Sequence, residues 1–205
     1  MKHLHFLPIL CMAVLMTTMC KNQSNQANEP EVKYTGFKSA IITKSYTSEG
    51  VNSTEVTYID NYGDQWFDYL FGVGEESPMM ISTATEEYDY YLFPKEKSGW
   101  KSKKNDTESI AWMHLTDEVI KRFQIKKIGQ EEILGKMCDM YSLVISSHNP
   151  VGVDTAWVWQ GIELKLNIHS MEMGSGCYLV TDMQIDVPIP AEMITIPEGY
   201  DIDER

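Results

Sequence analysis

A chain of 205 residues with 43% hydrophobic content can bury a sizeable core and fits a single domain. Thirty acidic residues against 17 basic ones give a net charge of −13. Such a surface repels nucleic-acid phosphates and anionic lipid headgroups, which excludes phosphate-backbone binding as the main function.

The N-terminus reads as an export signal. Met1–His5 carries Lys2, Phe6–Met16 is almost wholly apolar, and the polar run Lys21–Glu31 follows. The apolar stretch is too short to span a bilayer and has the n-region, h-region and cleavage zone of a signal. Thr17-Thr18-Met19-Cys20 resembles a bacterial lipobox, with Met19 where a small residue is usual. The expectation is that residues 1–19 are removed and Cys20 takes a diacylglycerol. The alternative is an ordinary thiol after a plain secretory signal. Loss of Lys2 leaves 16 basic against 30 acidic residues. Residues 20–33 then form a polar tether that lacks the apolar side chains needed to fold, and residues 34–205 form one domain. The address this implies is the periplasm or outer membrane of a Gram-negative bacterium, with an N-terminal lipid anchor as the membrane contact. No second apolar run is long enough to cross a membrane.

Strand patterns follow. Ser39–Tyr46 and Asn52–Asp60 are rich in Ile, Thr, Val and Tyr and flank Ser48-Glu49-Gly50, which predicts a hairpin. Asn61-Tyr62-Gly63-Asp64 turns the chain into a strand at Gln65–Phe71, and Met79–Thr83 and Tyr88–Phe93 predict two more. Lys95–Lys104, with five lysines, reads as a basic hairpin-like loop around Gly99-Trp100, which either faces anionic lipid or an acidic partner or, the preferred reading, is simply solvated. Thr116-Asp117-Glu118 opens a short helix, with Thr116 as N-cap and Val119, Ile120 and Phe123 on its apolar face. Strands resume at Lys126–Ile133, Met137–Ser146, Ala156–Gln160, Ile162–His169 and Tyr178–Val187. His148-Asn149-Pro150 makes a turn, and Gly161 marks a bend. The proline-rich tail from Pro188 to Pro197 is expected across a sheet edge. Consecutive antiparallel strands, one helix and no βαβ rhythm predict an α+β or mostly-β domain.

No residue pattern selects a reaction. His114, His148 and His169 are scattered, without the H-E-x-x-H or C-x-x-C spacing of a metal site. Gly174-Ser175-Gly176 reads as a turn tripeptide, without the strand-to-helix setting of a nucleophile elbow. Glu86-Glu87 and Glu131-Glu132 sit at strand ends, where neighbours point to opposite faces. The expectation is a protein that is not an enzyme and uses no cofactor or metal. Cys11 leaves with the signal. Cys138 and Cys177 fall on strands that are not expected to be neighbours, which favours two free thiols over a disulfide.

Aromatic residues are the more informative material. Trp66, Tyr88, Tyr90, Trp157 and Trp159 all fall on predicted strands, and Tyr88/Tyr90 and Trp157/Trp159 have period two, so each pair shares a face. They either fill a sheet core or line a cavity fit for acyl chains. The sequence leaves both readings open.

Three stretches carry a resemblance. The first is Ile128-Gly129-x-x-x-Ile133-Leu134-Gly135-Lys136-x-Cys138-x-x-Tyr141, and the second is Trp157-Val158-Trp159-x-Gly161-Ile162-x-Leu164-Lys165. The third is Ile189-Pro190-Ala191-Glu192-Met193 with Ile196-Pro197-Glu198-Gly199. Together with Tyr58-Ile59-Asp60-x-Tyr62-Gly63, they resemble uncharacterised exported proteins related to the periplasmic lipoprotein-carrier superfamily (LolA, LolB and LppX-like). The resemblance covers about residues 36–200 and rests on turn glycines, core aromatics and edge prolines. It implies an α+β, mostly antiparallel domain, a strongly curved incomplete β-barrel with short helices over its concave face. It implies a lipid or acyl-chain ligand; the expectation for this chain is that the aromatic strands line the cavity and the Thr116–Phe123 helix acts as a lid. A non-catalytic interaction or scaffolding module with a filled core is the rival expectation. No protein partner is indicated.

Overall fold

The computed structural model describes residues 32–48, 50–104, 110–145, 153–170 and 174–205. The export signal, Cys20, nearly all of the tether, Glu49 and the His148-Asn149-Pro150 turn lie outside the described residues.

Among the described residues twelve strands form one open, curved sheet. In chain order they are β1 (Ala40–Ser48), β2 (Val51–Asp60), β3 (Gln65–Phe71), β4 (Met80–Ala84), β5 (Tyr88–Phe93) and β6 (Ser98–Lys103). The second half supplies β7 (Lys126–Ile133), β8 (Lys136–Leu143), β9 (Asp154–Trp159), β10 (Ile162–Ser170), β11 (Gly174–Ile185) and β12 (Asp201–Glu204). The spatial order is β12-β6-β5-β4-β3-β2-β1-β11-β10-β9-β8-β7. Every pairing is antiparallel except β12 on β6. Register shifts at Thr43/Lys44, Glu163/Lys165 and Lys127/Gly129 interrupt three ladders, and such bulges bend and twist the strands that carry them.

This order explains two long connections. Strands β1 to β6 step outward from the centre, whereas β7 to β11 return from the far edge and close on β1. The chain between β6 and β7 must therefore cross the sheet, and so must the chain from β11 back to β12. The two crossings lie on opposite faces. Residues 110–125, here termed the strap, hold a 3₁₀ turn (Trp112–His114) and α1 (Asp117–Arg122). Thr116 caps α1 as its sequence predicts, its hydroxyl accepting from the Val119 amide at 3.3 Å. The tail packs Met193, Ile194, Ile196 and Tyr200 against Phe67, Tyr69, Ile81 and Leu92.

The expectation of short helices over the concave face needs correction. Among the described residues there is one α-helix of six residues, and the rest of the cover is irregular chain and 3₁₀ turns. Proline explains part of this, since Pro188, Pro190 and Pro197 remove backbone donors and keep the tail from coiling. The tail also crosses a sheet face before reaching the edge. Lys95–Lys104 is not a loop throughout, because Ser98–Lys103 pairs with β5 as β6.

Among the described residues three clusters fill the interior. The first joins Phe37, Ala40, Ile42, Ile59, Cys138, Trp157, Leu164 and Val180. The second puts Phe123 and Ile125 of the strap on Leu143, Ala156, Val158, Leu166 and Tyr178. The third is the tail cluster. Fully buried side chains such as Leu92 and Leu143 each stabilise the fold by about 1.5–3 kcal/mol relative to exposure. At the β9–β10 turn Gly161 has φ +86°, and a Cβ there would meet the Tyr34 carbonyl oxygen at 2.2 Å. Only glycine allows the N-terminal segment to pass so close. Cys138 is buried and Cys177 exposed, both thiols free, and β9 and β10 separate their strands.

Candidate functional site

Alternation along β1 puts Ala40, Ile42, Lys44 and Tyr46 on one face. The first two enter the core; the next two begin a polar group on the same surface. Cross-strand register extends this face in both directions. Tyr46 lies opposite Tyr178, Tyr178 opposite Leu166, Leu166 opposite Ala156, and Ala156 opposite Tyr141. On the other side Lys44 faces Glu55, and Thr57 faces Asp68, then Ser82, Tyr91 and Trp100. The strap covers the half from Tyr141 to Tyr178.

The polar group has a definite geometry. Lys44 Nζ sits 2.8 Å from Glu55 Oε1, with side-chain exposures of 15% and 13%. The Tyr46 hydroxyl donates to the same oxygen at 3.2 Å, and the Thr57 hydroxyl donates to Asp68 Oδ1 at 2.5 Å. The Lys44 ammonium also lies 5.4 Å from the Tyr178 ring centre. Burial alone would lower the Lys44 pKa, but Asp68, Glu55 and Tyr46 outweigh it and hold the amine above its ordinary 10.5. Burial pushes Asp68 from 3.8 up to about 6; Lys44 and the Thr57 hydroxyl pull it down, and Glu55 adds to the rise. Tyr46 and Tyr178 are raised, chiefly by burial and then by their carboxylate neighbours. Both phenols therefore stay protonated, as donors.

Glu163 connects the polar group to the strap. Its carboxylate accepts from the Tyr178 hydroxyl and, at 2.7 Å, from Trp112 Nε1. The Trp112 ring also packs on Tyr141 with centroids 5.0 Å apart. The strap is tied through its backbone as well, the Val144 amide donating to the Phe123 carbonyl at 2.8 Å. Trp112→Phe keeps the ring contact and removes the bond to a carboxylate. It is expected to cost about 2 kcal/mol and to speed amide exchange in residues 110–125 while β8–β11 stay protected. Unchanged exchange in the strap would show that packing and the backbone bond at Phe123 hold it without the Trp112–Glu163 contact.

The aromatic residues singled out from sequence fall into two groups, Trp66, Trp157 and Trp159 at the first cluster and Tyr88 with Tyr90 apart from it. Trp66 shares the Asp68 face by alternation and packs on the first cluster. Tyr88 and Tyr90 are T-shaped neighbours 6.3 Å apart on the opposite face, where Tyr90 pairs with Thr83 and Thr83 with Phe67. Trp157 is buried, donates to Glu131 at 2.6 Å and carries the Lys165 ammonium at 4.0 Å. Trp159 stacks on Phe37 and carries Lys136 at 4.1 Å. On β9 these tryptophans point away from Ala156 and Val158, which lie under the strap. Sequence reasoning missed Lys44, Glu55 and Asp68. Lys44 and Asp68 carried a partial signal, each a charge whose same-face neighbours are apolar (Ile42 and Tyr46, Trp66 and Leu70), whereas Glu55 lies between Ser53 and Thr57 and carried none.

Two surface depressions, of about 340 and 370 Å³, are open and mostly polar. Glu86, Glu87, Tyr88, Lys103 and Lys104 line one; Leu134, Lys136, Thr181, Asp182 and Met183 line the other. No group of three or more metal-ligating side chains occurs among the described residues.

No protein-family model matches the chain, and no curated protein matches it. Among solved structures, an uncharacterised conserved protein from Thermus thermophilus superposes with a TM-score of 0.58 at 9% identity. That alignment covers 82% of this chain and 91% of the other. MucB in the Pseudomonas aeruginosa MucA/MucB complex aligns at 10% identity with a TM-score of 0.49 over 78% of this chain. This chain spans little over half of it, 56%. A candidate outer membrane lipoprotein-sorting protein domain from Vibrio parahaemolyticus aligns at 8% identity, with a TM-score of 0.37 over 77% of this chain and 89% of that domain. These likenesses are of fold alone.

Proposed function

We propose that this chain is an exported, membrane-anchored binding protein without catalytic activity, whose strap face takes an apolar ligand such as an acyl chain. The observation that carries this reading is the build of the strap. A single layer of chain, with a helix of only six residues, covers the apolar floor formed by Leu143, Ala156, Val158 and Leu166. Trp112 supplies a side-chain polar tie to the sheet through Glu163, beside the backbone bond at Phe123. A ligand that lifts the strap exchanges one apolar contact for another, so opening exposes little net apolar surface. The motif resemblance to lipoprotein carriers and the curved open sheet support the same reading.

The test is native mass spectrometry of the chain with Cys20→Ala, purified without detergent, followed by lipid extraction. One displaceable lipid per chain is the expected result. A chain that stays ligand-free after lipid is added sinks the proposal. That outcome would favour an interaction module with a filled core, a second reading supported by the three packed clusters and the shallow polar depressions.

A further inference from the structure

The apolar floor under the strap and the charged group beside it belong to one surface. From Tyr178 on β11 to Asp68 on β3 the register crosses β1 and β2 and moves along them from Tyr46, opposite Tyr178, to Ile42, in the row of Thr57 and Asp68, a diagonal of about 19 Å at ordinary strand spacing and rise. A ligand lying diagonally across the strands would end its tail at Tyr178, under the edge of the strap, and place its head at the polar half.

The charges there do not balance. Lys44 is matched to Glu55 at 2.8 Å, while the partner fixed on Asp68 is the neutral Thr57 hydroxyl. Two carboxylates therefore face one ammonium on this part of the sheet. Beyond Asp68 the same row carries Ser82 and then the Tyr91–Trp100 pair, stacked at 4.1 Å. Ring faces favour cations, and Trp100 already holds the Arg205 guanidinium at 5.2 Å. An anionic head would add a third negative charge here, whereas a cationic head would neutralise the surplus one. The whole chain, at −13, steers in the same sense.

We propose that the strap face binds an amphiphile with a cationic amino head group, its tail beneath the strap and its ammonium against Asp68. This inference rests on the strap face being the site of an apolar ligand.

Three probes with one tail and different heads test it: dodecylamine, dodecanol and dodecanoate, titrated at neutral pH and physiological salt into the chain with Cys20→Ala, with tryptophan fluorescence as readout. Dodecylamine is expected to bind at least about tenfold more tightly than dodecanoate, with dodecanol between. Asp68→Asn should reduce that ratio to about threefold or less. Should Asp68→Asn fail to fold, Ser82→Lys carries the same test, because it places a tethered ammonium at Asp68's cross-strand neighbour. It should abolish the preference for the amine and leave dodecanol affinity unchanged. Equal affinity for all three probes overturns the head-group inference and leaves the apolar site standing. A preference that survives both substitutions assigns it to overall charge and also overturns it. Binding of none of them removes the apolar site, and this inference with it.

Discussion

Asp154→Ala is expected to lower the melting temperature by roughly 6–12 °C, from a loss of about 3 kcal/mol at 2–4 °C per kcal/mol for a domain of this size. Asp154 is 3% exposed at the start of β9. One carboxylate oxygen accepts the His169 amide at 2.7 Å and the other the Ile145 amide at 2.9 Å. Alanine leaves both donors without their partner, and a buried donor left unmade costs more than a bond gained. The site joins β10, β9 and the end of β8, next to the Val144 amide that holds the strap at Phe123. Loss of Asp154 should therefore loosen the strap as well as the sheet. Asp154→Asn separates shape from bonding, since its carbonyl can take one amide while its NH₂ confronts the other. An intermediate melting temperature for Asn is the expected order. An alanine variant that melts with the wild type would show that water replaces both contacts.

Sequence made most of the strands legible because their signals are local. Gln65–Phe71 and Tyr88–Phe93 carry their own aromatic residues and Lys126–Ile133 its own isoleucines, and Gly63, Pro94 and Gly135 mark their ends. Thr116 announces α1 in the same way. Two elements were hidden. β6 reads SGWKSK, a lysine-rich run whose pairing is decided by β5, where Trp100 meets Tyr91 and Gly99 meets Leu92. β12 is four residues with three acids, and it is a strand only because the tail delivers it to the open edge of β6. The candidate site was hidden for the same kind of reason. Lys44, Glu55 and Asp68 lie on three strands, and period two shows which way each points but not which strand it will neighbour. The paired tryptophans had the louder signal, yet both turned out to serve cation contacts and the first cluster.

Lys44→Met is expected to destabilise the chain by about 3–5 kcal/mol at pH 8, because it strands two half-buried carboxylates without their cation while keeping the apolar stem. The cost should shrink at pH 5. Asp68 has its folded pKa raised from 3.8 to about 6, so below 3.8 it is protonated whether or not the chain is folded. Between 3.8 and about 6 the folded state binds more protons than the unfolded one, and stability falls as pH rises. In the wild type this contributes a decline on the order of 2–3 kcal/mol across that window, and Asp68→Asn should flatten it. Lys44 has the opposite partner in this balance. Its raised pKa gives stability that is fully present below 10.5 and is lost only at more alkaline pH. Between pH 5 and 8 the ammonium is therefore constant and the carboxylate changes. Urea denaturation of wild type, Lys44→Met, Asp68→Asn and the double variant at both pH values measures the coupling directly. The double variant should lose less than the sum of the singles at pH 8, since each substitution removes part of what the other leaves unpaired. Equal costs for Lys44→Met at pH 5 and pH 8 would falsify the assignment of Asp68 as the surplus charge on this face.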